Sequence, residues 1–290
     1  MGRRVTTKNK TKVAKTLRVV IVGYGRVGGA LAKALKKAGW SVSVLPRSQE
    51  SVRRAALSGV RLADHDDLRA AQLCLLAVPD AQVANAAELV LEDLSAQTPL
   101  VHLSGALTLA AFGRPTIDSG RPLGSFHPLA AISDPSDSFA GHTASLAATN
   151  EPLLVTLRML ATTLSMRTIE VPETGRAAYH AGAVLSAGLL VALADAAVAS
   201  LQHAGLGREQ SLDALLPLMR SALDGLATRG FSKGLTGPVV RGDVGVVQAH
   251  LDALPPEVGS VYRLLSRRTL ALIGDSLPAE TLLALKRILA

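Results

Sequence analysis

Leu17-Arg18-Val19-Val20-Ile21-Val22-Gly23-Tyr24-Gly25-Arg26-Val27-Gly28 is the stretch that decides the fold. Four of its first six residues, Val19 to Val22, are β-branched and apolar without alternation, as in a strand buried on both faces of a parallel sheet. Gly23 to Gly28 then matches G-x-G-x-x-G. From Val27 to Ala38 the apolar residues Val27, Leu31, Ala34 and Leu35 share one helical face, and Gly39 ends the run. Strand, glycine turn and helix in that order form a dinucleotide-binding fingerprint. Gly23 permits the tight turn, Gly25 lets the backbone approach a pyrophosphate, and Gly28 lets the helix pack against the strand. The phosphates then meet free N–H groups at a helix N-terminus. Tyr24, Arg26 and Val27 complete the binding turn, and Arg26 adds positive charge near the phosphates.

Outward from this turn, strand and helix signals alternate. Strands are expected at Ser41–Leu45, Val60–Leu62, Leu73–Val78 and Leu100–Leu103, with helices at Glu50–Leu57 and Ala81–Leu94. That alternation predicts a mostly parallel, doubly wound sheet. After Gly105 come short strands at Pro122–Phe126 and Thr143–Ala147, a helix at Glu151–Leu164 and an edge strand at Arg167–Val171. Beyond Pro172 strand signals vanish. Glu173–Ala204 reads as one long Ala/Leu-rich helix, followed by helices at Arg208–Arg229, Asp243–Leu254, Pro256–Ile273 and Ala279–Leu289. The expected architecture is a basic tail over 1–16, an α/β Rossmann domain over 17–171 and an all-α domain over 172–290.

Composition agrees with a folded, two-domain chain. It has 290 residues, 48% hydrophobic and 19% charged, which excludes a disordered protein. Four Phe, three Tyr and one Trp leave the core to Ala, Leu and Val. The longest uncharged apolar stretch in a helical region, Ala181–Ala194, is shorter than the roughly 20 residues of a membrane span, so no membrane is expected. The lone cysteine, Cys74, rules out an internal disulfide and suggests a reducing, cytoplasmic setting. No metal is expected, since no H-x-x-x-H or clustered carboxylate pattern occurs. Of the formal charge of +8, the tail residues Arg3, Arg4, Lys8, Lys10, Lys12 and Lys15 hold six, leaving about +2 for the rest. The tail reads as a solvated extension, with a nucleic-acid or anionic-surface arm as the alternative.

The end of the second strand, Val44-Leu45-Pro46-Arg47-Ser48, lacks the acid that binds a ribose 2′-hydroxyl in NAD sites. Arg47 and Ser48 instead offer donors for a 2′-phosphate, so NADP is the expected cofactor. Val78, Pro79 and Asp80 end the fourth strand, and Ser104 and Gly105 follow the fifth. Ligands in open α/β sheets sit beyond these carboxyl ends, so all five are assigned to the cofactor crevice. Asp80 also reads as the N-cap of the helix from Ala81.

Further motifs follow in order: His102-Leu103-Ser104-Gly105, Ser125-Phe126-His127-Pro128-Leu129, Tyr179-His180-Ala181 and Leu235-Thr236-Gly237-Pro238-Val239-Val240-Arg241-Gly242-Asp243. With Val78-Pro79-Asp80, they resemble the family of Rossmann-like proteins carrying a C-terminal helical domain of unknown function. That family is related to the 6-phosphogluconate-dehydrogenase-like and ketopantoate-reductase-like enzymes. The resemblance covers Leu17 to about Leu289. It implies an NADP-binding first domain, a helical second domain that often forms a homodimer, and an active site between them. Some relatives are thought to be ketopantoate reductases. Better-known enzymes of that activity use a Lys on the long helix and an Asn one turn later. Neither is present here, and Gly188 stands where relatives commonly have Asn.

Reducing a carbonyl needs an acid for the new alkoxide and a cation for a substrate carboxylate. His180, early on the long helix, is expected to protonate the alkoxide, and His127 to orient substrate. His102, in an apolar run, reads as structural. Arg241 is the candidate for the carboxylate, supported by Thr236 and Asp243. Asp243 also reads as the cap of the following helix, and an Arg241–Asp243 pair fixing the loop is an equal alternative. The leading reading is an NADP-dependent reductase of a small 2-oxo acid, 2-dehydropantoate most specifically. A prephenate-type dehydrogenase is the alternative within enzymes. A non-catalytic dinucleotide sensor or scaffold, its basic tail contacting nucleic acid, is the alternative outside them.

Overall fold

A computed structural model describes residues 16–290, so the tail expected over 1–16 lies outside the described residues except for Thr16. The strands are β1 Arg18–Val22, β2 Ser41–Leu45, β3 Arg61–Leu62, β4 Leu73–Leu76, β5 Leu100–His102, β6 Leu123–Leu129, β7 Thr143–Ala148 and β8 Arg167–Glu170. They form one eight-stranded sheet in the order β3-β2-β1-β4-β5-β6-β7-β8. Every pairing is parallel except β6 with β7.

Helices α1 Arg26–Lys37, α2 Gln49–Leu57, α3 His65–Ala70, α4 Val83–Leu91, α5 Arg114–Asp118 and α6 Glu151–Thr163 connect the strands. The non-alternating first run is explained by its two covered faces. Val19 and Ile21 pack with Leu31, Leu35, Leu153 and Leu157. Val20 and Val22 pack with Leu76, Val83, Val90 and Leu100. Each such fully buried aliphatic side chain contributes roughly 1.5–3 kcal/mol. Cys74, on the second face, is sealed from solvent, and burial pushes its thiol up to about 12.

The described residues divide into two compact units, the first ending at Val184 and the second running over Leu185–Ala290. The dividing point falls inside the stretch expected to be one helix over Glu173–Ala204, and that helix is not continuous. A 3-10 turn at Glu173–Gly175 precedes α7, Arg176–Ser186. Ala187 then leaves helical geometry (φ −123°, ψ −86°) before α8, Gly188–His203. The Ala/Leu periodicity continues across the break, which is why periodicity alone does not show it. By length and composition, Glu173–His203 is apolar enough to cross a membrane, where the sequence reading expects no span.

The second unit continues with α9 Arg208–Gly234, α10 Pro238–Arg241, α11 Val244–Ala253, α12 Pro256–Ile273 and α13 Ala279–Ile288. Gly230, at φ +73°, kinks α9. Val239, Val247, Leu251, Leu270, Leu285 and Leu289 form its core. On α8 and just before it, Val191 (70% exposed) and Leu185 (63%) present apolar surface to solvent.

Candidate functional site

The turn between β1 and α1 is held by backbone. The Gly23 N–H donates to the Leu45 carbonyl at 2.8 Å, and the Ala77 N–H donates to that of Val22 at 2.8 Å. Gly23 sits at φ +98°, where a side chain is strained, and a Cβ there would collide with the Ala77 carbonyl. At Gly28 a Cβ would collide with the carbonyl of Gly23. Gly25 differs: it caps α1 at φ −81° without a side-chain hydrogen bond, and a Cβ there would meet nothing within 4 Å. The open space lies where free helix N–H groups converge, which suits a pyrophosphate.

Other expected cofactor residues divide. Arg26 and Arg47 are exposed, and Val27 and Val78 are half-buried. The Tyr24 ring packs into the core, and its hydroxyl meets Ser58 Oγ at 2.7 Å, leaving only its backbone to the turn. Ser48 Oγ accepts from the Ser51 N–H at 3.2 Å in a reciprocal capping box on α2, so its hydroxyl is already engaged. Asp80 does not cap the next helix as expected: it starts a 3-10 turn that Pro79 precedes, and α4 begins only at Val83. Its carboxylate instead accepts from Ser104 Oγ at 2.9 Å, tying the loop after β4 to the loop after β5.

The histidine motifs converge on Gly105. A Cβ built there would lie 2.6 Å from His180 Nδ1 and 2.8 Å from His127 Nε2. The two imidazole centroids are 5.7 Å apart at 74°. Tyr179 stands edge-on to His127, and its hydroxyl lies 2.8 Å from His127 Nδ1. Burial, then the neighbouring His180 and Arg176, lowers His127 to about 4. His102 is fully buried against Phe112 and is also lowered to about 4, chiefly by burial. Both rings are therefore neutral near pH 7.

Beneath this cluster lies Arg176, only 1% exposed. Its Nη1 donates to Ser125 Oγ on β6 at 3.1 Å and to Ser145 Oγ on β7 at 3.4 Å. Its Nε and Nη2 have no hydrogen-bond partner among the described residues. No sequence argument singled out Arg176 or Ser145. The available signal was polar Ser125 and Ser145 within otherwise apolar strands, beside an arginine in an Ala-rich helix.

Thr236, Arg241 and Asp243 lie in the helical unit. Arg241 Nε and Nη2 both reach Asp243 Oδ2 at 2.8 Å, the loop-fixing pair held as the alternative to carboxylate binding. Asp243 precedes α11 without a side-chain cap bond, so the expected capping role is corrected: its carboxylate serves Arg241. Thr236 is exposed beside Gly237, which turns at φ +101°. Among the described residues no group of three His, Cys, Asp or Glu is arranged to hold a metal.

Residues 4–128 match the family model of a Rossmann-like domain, and residues 143–269 match that of DUF2520, a domain of unknown function. The chain is a Rossmann-like protein with a DUF2520 C-terminal domain. A sequence comparison with curated proteins gives no match. Among solved structures, the fold resembles that of BF3122 of Bacteroides fragilis, described as a proposed NADP oxidoreductase. Identity is 24%, with 88% of this chain and 98% of that one covered at TM-score 0.73. TM1727 of Thermotoga maritima is 22% identical, over 88% and 98% of the two chains, at TM-score 0.66. An NADH-preferring ketol-acid reductoisomerase from an uncultured archaean is 17% identical, over 87% and 81%, at TM-score 0.63.

Proposed function

We propose that this chain is an oxidoreductase that takes NADP and reduces the carbonyl of a small 2-oxo acid, with 2-dehydropantoate the first candidate. One observation carries the reading. The open glycine turn follows β1 and the His127–His180 pair gathers at Gly105 after β5, both at the carboxyl ends of parallel strands in one sheet. The solved folds it resembles include one described as a proposed NADP oxidoreductase and one named an NADH-preferring reductoisomerase, which supports nicotinamide chemistry and leaves the coenzyme to be argued from residues.

The backbone at Gly23, Gly25 and Gly28 would hold the pyrophosphate, with Arg26 and Arg47 supplying positive charge. The bound coenzyme supplies the hydride. His127 and His180 line the place where a new alkoxide needs a proton. Arg47 stands where NAD sites commonly carry an acid, which favours the 2′-phosphate.

The test is binding of NADPH and NADH followed by turnover with a panel of 2-oxo acids. NADPH should bind more tightly, and Arg47→Ala should erode the difference by roughly 1–3 kcal/mol. Equal affinities in the wild type would defeat the NADP assignment. Binding without turnover of any oxo acid would favour a dinucleotide sensor.

The exposed apolar residues of α8 support self-association of this chain as a homodimer. A membrane span suits the same segment less well, because the backbone break at Ala187 would disrupt helical hydrogen bonding inside lipid. Sedimentation of the detergent-free protein at twice the monomer mass is the expected result.

A further inference from the structure

The guanidinium of Arg176 is fully buried beside two histidines and has no carboxylate in hydrogen-bond reach among the described residues. Its carboxylate neighbour, Glu173, acts on it without a hydrogen bond, and a buried charge so weakly paired is costly, so placing it beneath a reactive cluster calls for a reason. Hydrogen-bond direction supplies one. Arginine can only donate, so Ser145 Oγ must accept from Arg176 Nη1. The Ser145 proton is then free to turn toward the Tyr179 oxygen: Ser145 is paired directly with His127 across β6 and β7, and the Tyr179 hydroxyl reaches that same histidine. The Tyr179 proton is in turn free to be donated to His127 Nδ1, 2.8 Å away. A ring that accepts at Nδ1 carries its proton on Nε2, the atom that faces Gly105.

We propose that Arg176, Ser145, Tyr179 and His127 form a one-way proton relay, in which Arg176 is the positioning residue and His127 Nε2 delivers the proton. The relay rests on the oxidoreductase reading and moves the proton-delivering role from His180, where the sequence puts it, to His127. In the step, the His127 Nε2–H bond breaks as an O–H bond forms on the substrate alkoxide produced by hydride addition. His127 Nδ1 simultaneously takes the Tyr179 proton, so the ring stays neutral in its other tautomer. Burial disfavours the phenolate left behind, and the Ser145 hydroxyl and the Arg176 charge offset part of that cost until solvent restores its proton. Neutral imidazole is a weak acid, and this coupled transfer spares it from becoming an anion. His180, its Nδ1 buried without a hydrogen-bond partner among the described residues, forms the opposite wall of the site.

The test needs no substrate. In protein labelled with 15N-histidine, His127 is assigned by its loss in His127→Gln. The wild-type ring should carry its proton on Nε2 at pH 7.5. Tyr179→Phe keeps the ring and removes the hydroxyl; it should shift His127 to a mixture of tautomers with the fold intact. Arg176→Met should do the same and raise the His127 pKa, and Arg176→Lys should restore part of the bias. Should the Arg176 variants fail to fold, Tyr179→Phe and Ser145→Ala decide alone. A wild-type proton on Nδ1, or a tautomer unmoved by Tyr179→Phe, overturns the relay. NADPH affinity measured on the same samples should be unchanged by Tyr179→Phe. If the wild type binds no dinucleotide, the coenzyme reading falls, while the tautomers still decide the relay. With an active substrate, Tyr179→Phe should lower kcat by about 10²-fold with little change in KM.

Discussion

The glycine turn after β1 and the single Gly105 after β5 are both too crowded for a Cβ, but the obstacles differ in kind. At Gly23 and Gly28 the obstacle is a backbone carbonyl, fixed by the hydrogen bonds that join β1 to its neighbours. At Gly105 it is the edges of two imidazoles, each on a rotatable side chain. The first crowding is a condition of the fold. The second results from gathering reactive groups at one point. Gly25 stands apart from both, because its missing side chain leaves space that nothing in the fold fills.

Substitutions at these glycines can break or sharpen that contrast. Gly28→Ala, forced against the Gly23 carbonyl, should destabilise the protein by about 3 kcal/mol or more in urea melts. A loss below 1 kcal/mol would show that the turn can yield and that the two crowded sites are alike. Acid should act on the histidine end. His102 and His127 stay neutral down to about 4, whereas an unfolded histidine titrates near 6.5. Between those values the unfolded chain binds protons that the fold refuses, so stability is full above pH 6.5 and falls as pH drops toward 4. Each histidine can add up to about 1.4 kcal/mol per pH unit, less for the partly exposed His127. Urea midpoints from pH 7.5 to 4.5 should decline accordingly, and His127→Gln should flatten the decline.

Gly105→Ala should cost about 1–2 kcal/mol as the imidazoles rotate away, leaving NADPH affinity intact and lowering turnover. Loss of NADPH affinity instead would put Gly105 among the cofactor contacts, where the sequence places it. The smallest stability change belongs to Gly25→Ala, within about 0.5 kcal/mol of wild type. Its NADPH dissociation constant should nevertheless rise about tenfold, equivalent to 1.4 kcal/mol. Unchanged binding in calorimetry would mean that no ligand uses the space at Gly25.

The same distinction explains what could be read from the sequence. The turn between β1 and α1 was legible because its constraints lie in the backbone, and backbone constraints select glycine at fixed spacing. All eight strands were legible, with ends shifted by a residue or two except at β6, which runs three residues beyond Phe126 and takes in His127. The helix break was not: Ser186-Ala187-Gly188 lies inside unbroken Ala/Leu periodicity, and Gly188 drew notice only for lacking an amide. His127 and His180 were singled out from their motifs, but their meeting at Gly105 needs the fold. Arg176 was invisible because its neighbours come from elsewhere. Ser125 and Ser145 lie on antiparallel strands whose register pairs His127 directly with Ser145. No periodicity links those four positions. Asp80 and Asp243 were misread for a related reason: short acids before helices suggest caps, yet each carboxylate found a stronger long-side-chain or loop partner.

Cys74 has a practical consequence. It is the chain's sole cysteine, and its sealed, protonated thiol will resist maleimides and disulfide reagents while the fold holds. The native protein is thus already a blank background for labelling chemistry. A cysteine introduced at Leu57, 89% exposed at the end of α2, would take a fluorophore alone, with no need to delete the original thiol from the sheet.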